Sequence, residues 1–288
     1  MQIKQFSATA HKFKALQDFA VVIQTGSKAD TLTALQSLIS SPLFQSKGWQ
    51  TTFAKLRSTF TTGAPSFAIF KMDGNSKLPF ISFSSLPGVT CPGAGECLSF
   101  CYSFSAWRYP AAFARQAQNA WLMRYSTDTI ANALREIDSK MKSQYDVRLY
   151  VDGDFANAND VSFWFSLIKD TPNARVYGYS KSFALLAAYD GKYPSNYVLN
   201  VSSGHNATQS IVDAVKALPI TRGEFIAVNI GRKVRSSDHG TVETNKALRQ
   251  VFGAKAFTCP GQCGACTGKG HACGMPSLKG LPIIIAVH

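Results

Sequence analysis

The sequence is poor in acidic residues and has no long apolar run. Seventeen Asp and Glu face 30 Lys and Arg in 288 residues, which gives a formal net charge of +13 and a pI of about 9.5. Such an excess favours a polyanionic partner, nucleic acid or a nucleotide. No run of about 18 apolar residues occurs, and the first residues, MQIKQFSATAHKFK, lack the apolar core of a secretory signal. We therefore expect a cytoplasmic protein without a membrane partner.

Glycine-rich phosphate-binding motifs are also missing. The sequence contains no GxxxxGK[ST], and no GxGxxG follows a predicted strand, which argues against P-loop and dinucleotide-binding proteins. Internal repeats and low-complexity tracts are absent as well. Because 45% of the residues are hydrophobic, the chain can bury a substantial core. The length of 288 residues is enough for one large α/β domain or two small ones.

The order of the predicted elements indicates an α/β fold. The first 60 or so residues are predicted to be helical, and TTGAPS at 61–66 is predicted to interrupt the pattern. Short β-rich runs then alternate with helices of about 10–15 residues, which is typical of βαβ units with a parallel sheet. The predicted strands are 79–85, 147–153, 174–180, 197–203, 224–230, 254–259 and 282–288. We expect a helical N-terminal region over 1–65 and a full or partial TIM-like (βα) barrel over 66–288, with a doubly wound open sheet as the alternative.

All seven cysteines fall in two short windows. The early window is Cys91, Cys97 and Cys101, in the loop after the first predicted strand. The late window, CPGQCGACTGKGHAC, contains Cys259, Cys263, Cys266 and Cys273. This clustering favours metal ligation in a reducing compartment over disulfides. Sulfur-only ligands are typical of zinc or an iron–sulfur cluster, and the uninterrupted spacing favours iron–sulfur.

The two windows leave more than one arrangement open. Four thiolates saturate a tetrahedral centre, so the late window is compatible with a structural site, with zinc as the alternative metal. Three thiolates leave one iron of a 4Fe–4S cluster open unless a distant residue fills it. A competing division is a single cluster held by the early three and one late cysteine.

Polar residues follow the predicted strands in DGDFANAND, GYSKS, NVSSG and NIGRK. In a (βα) barrel, loops at the carboxyl ends of strands form the active face. Asp152 and Asp154 alternate along a chain that we expect to be extended, so they should face one side. There they could bind a cationic amine or act as an acid/base pair, although Asp and Gly after a strand also form simple turns.

Other residue types add weaker candidates. Histidines that could transfer protons or bind metal are His205, His239, His271 and His288. A rim for phosphate could comprise the basic loop 231–240 with Arg108, Arg115, Arg148 and Lys181. Aromatic residues beside the early cysteines could stack bases or, as we favour, shield a cluster from water; they are Phe100, Tyr102, Phe104, Trp107 and Tyr109.

A (βα) barrel with three cysteines after its first strand resembles the radical SAM superfamily. The resemblance implies a 4Fe–4S cluster on the early window whose open iron binds S-adenosylmethionine. VDGDF, with Asp152, Gly153 and Asp154, resembles the Gly-Gly-Glu-Pro segment that holds the methionine amine. YGYSKS, with Ser180, and NVSSG, with Ser202, resemble the polar ends of the third and fourth strands. The late window resembles auxiliary-cluster extensions of some members.

The pattern also departs from that superfamily. Its usual Cys-x3-Cys-x2-Cys spacing occurs at 259–266 instead of in the early window, and Asp154 replaces a glutamate. The early triad, the GDF strand end and the IIIAVH tail more closely resemble phage- and plasmid-borne cysteine-rich proteins of unassigned activity, over about 79–288. We expect an iron–sulfur protein which, if it is an enzyme, uses S-adenosylmethionine on a nucleotide or nucleic acid. The alternative is a non-enzymatic nucleic-acid-binding protein with structural Fe–S or zinc centres.

Overall fold

The computed structural model describes residues 10–72, 80–232, 234–261, 266 and 271–287. It begins with the helices α1 (Ala10–Thr25), α2 (Lys28–Ser40) and α3 (Lys47–Thr62). Ser27 caps α2: its Oγ accepts the Asp30 N–H at 3.1 Å, and Asp30 Oδ2 accepts the Ser27 N–H at 2.9 Å. This reciprocal capping box satisfies two backbone donors that the helix leaves open. The N-terminal region is thus helical, as its sequence predicts.

Strands and helices alternate in the rest of the chain. The strands are β1 (Ile81–Ser82), β2 (Tyr145–Leu149), β3 (Ala174–Ser180), β4 (Tyr197–Ser202), β5 (Thr221–Val228), β6 (Phe257–Thr258) and β7 (Ile283–Ala286). The helices are α4 (Pro110–Tyr125), α5 (Thr127–Lys140), α6 (Ala158–Lys169), α7 (Phe183–Ala187), α8 (Gln209–Lys216) and α9 (Val242–Phe252). Each predicted strand range overlaps an observed strand, but β1 and β6 are much shorter than predicted.

The strands form one parallel sheet that curls into a half-barrel. Their order is β1-β2-β3-β4-β5-β7-β6, so β7 lies between β5 and β6. Ile283 of β7 pairs with Phe225 on one side and with Phe257 on the other. Because β1 and β6 are edges in the part of the chain that is described, the sheet is the partial and not the closed form of the predicted barrel.

Two of the three hydrophobic clusters of the described residues take alternating side chains of the central strands, and the third packs α9 against β5 and β7. Val176 and Leu199 pack with the helices in the larger cluster, which also contains Phe13 and Phe60 from α1 and α3. Tyr177 belongs to a smaller cluster on the other face, together with the late-window cysteines Cys259, Cys266 and Cys273. The predicted boundary at residue 65 falls just after α3, and residues from both sides of it share the larger cluster.

No helix in the described ranges is both long enough and apolar enough to cross a bilayer. This agrees with the missing apolar run in the sequence.

Asp160, near the start of α6, makes the stability of the fold depend on pH. The side chain is buried, and desolvation raises its pKa to about 6, although the Ala156 N–H and Asn157 oppose this shift. Its pKa in the unfolded chain is about 3.9. The protonated carboxyl is therefore favoured in the fold, so its stabilising contribution is complete below about pH 4 and is lost as the pH rises through 6.

We expect Asp160→Asn to remove this dependence while its amide oxygen still accepts the Ala156 N–H. Between pH 4 and pH 7, the free energy of unfolding of the variant should rise relative to wild type by up to about 3 kcal/mol. Urea unfolding of both proteins at the two pH values measures the difference. If the free energies of unfolding of the two proteins differed by the same amount at pH 4 and pH 7, the raised pKa of Asp160 would be contradicted.

Candidate functional site

A cavity of about 450 Å³ lies at the carboxyl ends of the central strands. The early cysteines line one part of it, and the residues that follow β2, β3 and β4 line the adjoining part. The predicted site residues on its surface are Cys91, Cys97, Cys101, Asp152, Gly153, Asp154, Lys181, Ser202, His239 and Cys259. The fold therefore gathers residues that are up to 168 positions apart, from Cys91 to Cys259.

The loop that carries the early cysteines is docked on the end of β4. The N–H groups of Gly95 and Cys97 both donate to the Gly204 carbonyl, at 3.0 and 3.1 Å, and Asn206 N–H donates to Gly93 O at 3.0 Å. A Cβ at Gly93 would lie only 1.7 Å from the Lys181 carbonyl oxygen. Because no side chain fits in that space, glycine at position 93 lets the loop approach the strand ends.

The three early thiols share one electrostatic environment. Burial raises the pKa of all three thiols, most strongly for Cys91, and the nearby Lys181 cation counteracts this at Cys91 and Cys97. Negative charge on Cys101 raises the pKa of Cys91, and Cys97 does the same to Cys101. These couplings indicate that the three thiols lie near one another, with the Lys181 cation near Cys91 and Cys97.

The carboxylate of Asp154 is fully engaged in hydrogen bonds. It is buried, and its Oδ1 accepts Ser180 Oγ–H and Phe155 N–H, each at 2.8 Å. Its Oδ2 accepts the N–H of Lys181 at 2.7 Å and of Ser182 at 3.2 Å. Desolvation raises its pKa, against the effect of these donors. Asp154 thus links the end of β2 to the end of β3 by hydrogen bonds. Ser180 donates one of these bonds but does not line the cavity.

Asp152 has a different set of partners from Asp154. Gln116 Nε2 donates to Asp152 Oδ2 at 2.9 Å, and Gln116 in turn accepts the Trp107 indole N–H at 2.8 Å. Burial raises the Asp152 pKa, whereas Ser103, Ser84 and Arg148 counteract the rise. The expected extended chain is absent here because Gly153, between the two carboxylates, has φ = +81°. Both side chains reach the cavity, but they are held by different elements.

The late window contains a second set of thiols near the first. Gly261 N–H donates to Cys259 Sγ at 3.4 Å, and Ala272 N–H donates to Cys266 Sγ at 3.2 Å. Cys273 is buried, and its carbonyl accepts Asn200 Nδ2–H at 2.9 Å. Cys259 lines the cavity; Cys266 and Cys273 do not. Cys263 lies outside the described residues.

The predicted histidines occupy separate places. Buried His239 lines the cavity next to Gly261, where a Cβ would come within 2.6 Å of the His239 Cβ. His271 Nε2 is 3.3 Å from Asp146 Oδ2, and its ring lies 4.3 Å from that of Tyr177. His205 accepts the Ala207 N–H at 3.2 Å beside the docked loop. His288 lies outside the described residues.

The predicted phosphate rim is only partly assembled. Arg148 and Lys181 line the cavity, whereas Arg108 and Arg115 do not, and among the described residues of the basic loop 231–240 only His239 reaches it. Among the aromatic residues beside the cysteines, Phe104 and Trp107 are buried in the larger cluster against Phe13. Tyr102 and Tyr109 are exposed. Phe100 and Tyr102 line the cavity together with the early thiols, so the aromatic group is divided between the core and the cavity.

Sequence reasoning missed two residues at this site, Tyr150 and Gln116. Tyr150 lines the cavity directly after β2 with φ = +54°, a strained conformation for a residue with a side chain. Its hydroxyl accepts the Trp164 indole N–H at 3.0 Å. Gln116 is buried in α4 and orients Asp152. No sequence pattern distinguished Gln116 from Gln118 and Asn119, which are also polar and buried in α4, and no local pattern indicated Tyr150.

Within the described ranges, no group of three or more His, Cys, Asp or Glu side chains is arranged to hold a metal ion. The six described cysteines are free thiols. Fold and site together define a parallel α/β half-barrel protein with a cysteine-lined cavity at its carboxyl edge. A family model described as Gene product 88 matches residues 51–274, and the chain belongs to this phage-type family.

The match agrees with the phage-borne part of the resemblance stated above. No radical SAM family model matches the chain. No curated protein and no solved structure matches it either.

Proposed function

We propose that this chain is an iron–sulfur protein whose early cysteines hold a 4Fe–4S cluster with one iron open to a small ligand. The supporting observation is the shared cavity: three thiols from one loop line it together with Asp152, Lys181 and Ser202 at the ends of parallel strands. Carboxyl ends of strands are where α/β proteins of this kind bind their ligands. The radical-SAM-like nature of the barrel is part of the same proposal.

The donor set suits a cluster better than a single ion. Thiolates around one zinc all lie about 2.3 Å from the same point, and the described side chains are not gathered in that way. A cluster of several irons separates its thiolates, and the three early thiols line one cavity of about 450 Å³. Since burial raises the pKa of the thiols, metal binding must displace their protons, and Lys181 partly balances the resulting negative charge.

The chain's own residues would prepare the cavity for a ligand. Cys91, Cys97 and Cys101 would hold the cluster, and the glycine-mediated docking of their loop fixes their position. Asp152, oriented by Gln116, presents a carboxyl group to the cavity. Lys181 and Ser202 present an ammonium and a hydroxyl group. When bound, the cluster supplies one-electron reduction at its open iron, and the resemblance names S-adenosylmethionine as the ligand.

A second centre on the late window belongs to the proposal. Backbone N–H donors at Cys259 and Cys266 stabilise the thiolate forms, and Cys273 packs in the same cluster of side chains. This centre would hold iron–sulfur or zinc. Cys263 is the fourth cysteine of the late window in the sequence and lies outside the described residues.

A reducing compartment, the cytoplasm, fits this proposal. The six described cysteines form no disulfide with one another. Thiols kept free in this way can bind metal, whereas oxidation would consume them.

Protein purified without oxygen tests the function. We expect about four irons and four acid-labile sulfides per chain for each 4Fe–4S cluster, with absorbance near 400 nm. We also expect an EPR signal of the reduced protein that changes when S-adenosylmethionine is added. Zinc without iron would contradict the cluster, and an EPR signal indifferent to S-adenosylmethionine would contradict the open iron as its binding site.

The charge of +13 favours a second candidate, a non-enzymatic nucleic-acid-binding protein with structural metal. Phosphate contacts made by Lys and Arg would give an affinity for DNA or RNA that falls steeply with salt. Salt-dependent binding by a protein whose metal ignores S-adenosylmethionine would select this candidate over the first.

A further inference from the structure

Part of the cavity wall is aromatic and cationic. Tyr179 of β3 and Phe225 of β5 line it with ring centroids 4.8 Å apart at 75°. The guanidinium of Arg148, on β2, lies 4.8 Å from the Tyr179 centroid. Aromatic rings and arginine planes are the surfaces on which proteins stack nucleic-acid bases. None of these three residues is needed to hold a cluster.

Lys181 is fixed in position at the same cavity. Its N–H is held by Asp154 at 2.7 Å, and its carbonyl packs on Gly93 of the cysteine loop. Its Nζ donates to Ser202 Oγ at 2.7 Å. Among the described residues no carboxylate comes within 4 Å of Nζ, since no ion pair of Lys181 is formed there. The ammonium thus faces the cavity with a neutral hydroxyl as its partner.

The two features lie at a distance that one small molecule can span. Lys181 follows Tyr179 by two residues, and a strand advances about 3.3 Å per residue, so their backbone positions are about 7 Å apart, and both residues line the cavity. A cavity of about 450 Å³ falls in the usual range for small-molecule sites. An ammonium beside a hydroxyl is suited to a phosphate group, and the net charge of +13 attracts such anions.

We propose that this cavity binds a mononucleotide, with its base against Tyr179, Phe225 and Arg148 and its phosphate on Lys181 and Ser202. Describing the nucleotide as the substrate rests on the proposed function. The binding itself uses no thiol and requires no cluster.

Calorimetric titration of the full-length protein tests the inference. The probes are the four ribonucleoside 5′-monophosphates and the four matching nucleosides. We expect at least one monophosphate to bind tenfold or more tightly than its nucleoside. Lys181→Met should abolish this preference, and Lys181→Arg should keep most of it. The control Lys192→Met, at an exposed lysine before β4, should bind like wild type.

Three outcomes would overturn the inference: no monophosphate binding, no preference for phosphate, or a preference that survives Lys181→Met. A further arm uses S-adenosylmethionine, which has the adenosine but no phosphate. If Lys181→Met weakens its binding as strongly as it weakens nucleotide binding, Lys181 recognises a carboxylate instead and the nucleotide assignment falls. Phe225→Leu, which leaves the cation in place, should weaken nucleotide and nucleoside alike.

The inference and the proposed function fail separately. Nucleotide binding by Cys97→Ala protein without iron would uphold the inference whether or not the cluster exists. If the EPR signal of the reduced protein changes with S-adenosylmethionine but the protein binds no nucleotide, the proposed function is upheld and the inference is overturned.

Discussion

Replacing Cys97 with Ala is expected to remove one whole cluster, roughly four irons and four sulfides per chain. Three thiolates already leave one iron without a protein ligand, and two are too few to retain the rest. The C-terminal metal should remain, because Cys266 and Cys273 do not line the cavity. Iron, sulfide and zinc analysis of protein prepared without oxygen measures the loss. Ser99→Ala is the matched control, because Ser99 is exposed in the same turn and bonds only to Glu96 O.

The same series decides how the seven cysteines divide. Cys273→Ala should leave the early cluster intact and empty the late centre. Cys259 is the informative position, because it lines the early cavity yet packs with the late cysteines. With two centres, Cys259→Ala should affect only the late one. If it instead removes the iron that Cys97→Ala removes, a single cluster is sealed by four protein thiolates and no iron is open for chemistry.

Gly93→Ala is expected to destabilise the protein by about 3 kcal/mol or more. Its Cβ would lie 1.7 Å from the Lys181 carbonyl oxygen and 2.3 Å from the Lys181 carbonyl carbon, and both are backbone atoms that cannot rotate away. The cysteine loop must therefore lift from the strand ends, which also moves Cys91 and Cys97. Urea unfolding measures the stability, and the metal yield should fall with it.

Gly48→Ala serves as the control for this substitution. Gly48 lies in α3, and the nearest atom to its added Cβ is Pro110 Cγ at 3.7 Å, an ordinary contact. Alanine there should be neutral or stabilising by up to about 1 kcal/mol because it favours the helix. If Gly93→Ala proved as harmless as Gly48→Ala, the docking of the loop against Lys181 would be wrong.

Local patterns predicted the elements of the fold better than their arrangement. The segment ARVYGYS coincides with β3 at Ala174–Ser180, because valine and tyrosine side chains suit a strand. The place of β7 between β5 and β6 could not be predicted in this way. Strand order depends on contacts between distant segments, such as Ile283 with Phe225, and no local pattern encodes them.

The site shows the same limit. Cysteine spacing singled out two windows, and Cys259 of the late window lines the same cavity as the three early cysteines. We expected Asp152 and Asp154 to face one side because an extended chain alternates its side chains. Gly153 between them has a left-handed backbone conformation, so the chain is not extended there. The four hydrogen bonds to Asp154 come partly from residues 26 to 28 positions away, so its structural role was invisible in the sequence. Strained Tyr150 left no signal at all.

The position of β7 has a consequence for the order in which the sheet can be built. Among the described strands, β6 pairs only with β7. In a nascent chain that has emerged only as far as residue 270, β6 therefore has no partner strand. Pairing β7 with β5 also joins residues 58 positions apart, from Phe225 to Ile283. Strands β1 to β5 can therefore be added in chain order, whereas β6 must wait for β7, and the described late cysteines reach their final surroundings only after β7 has paired with β5.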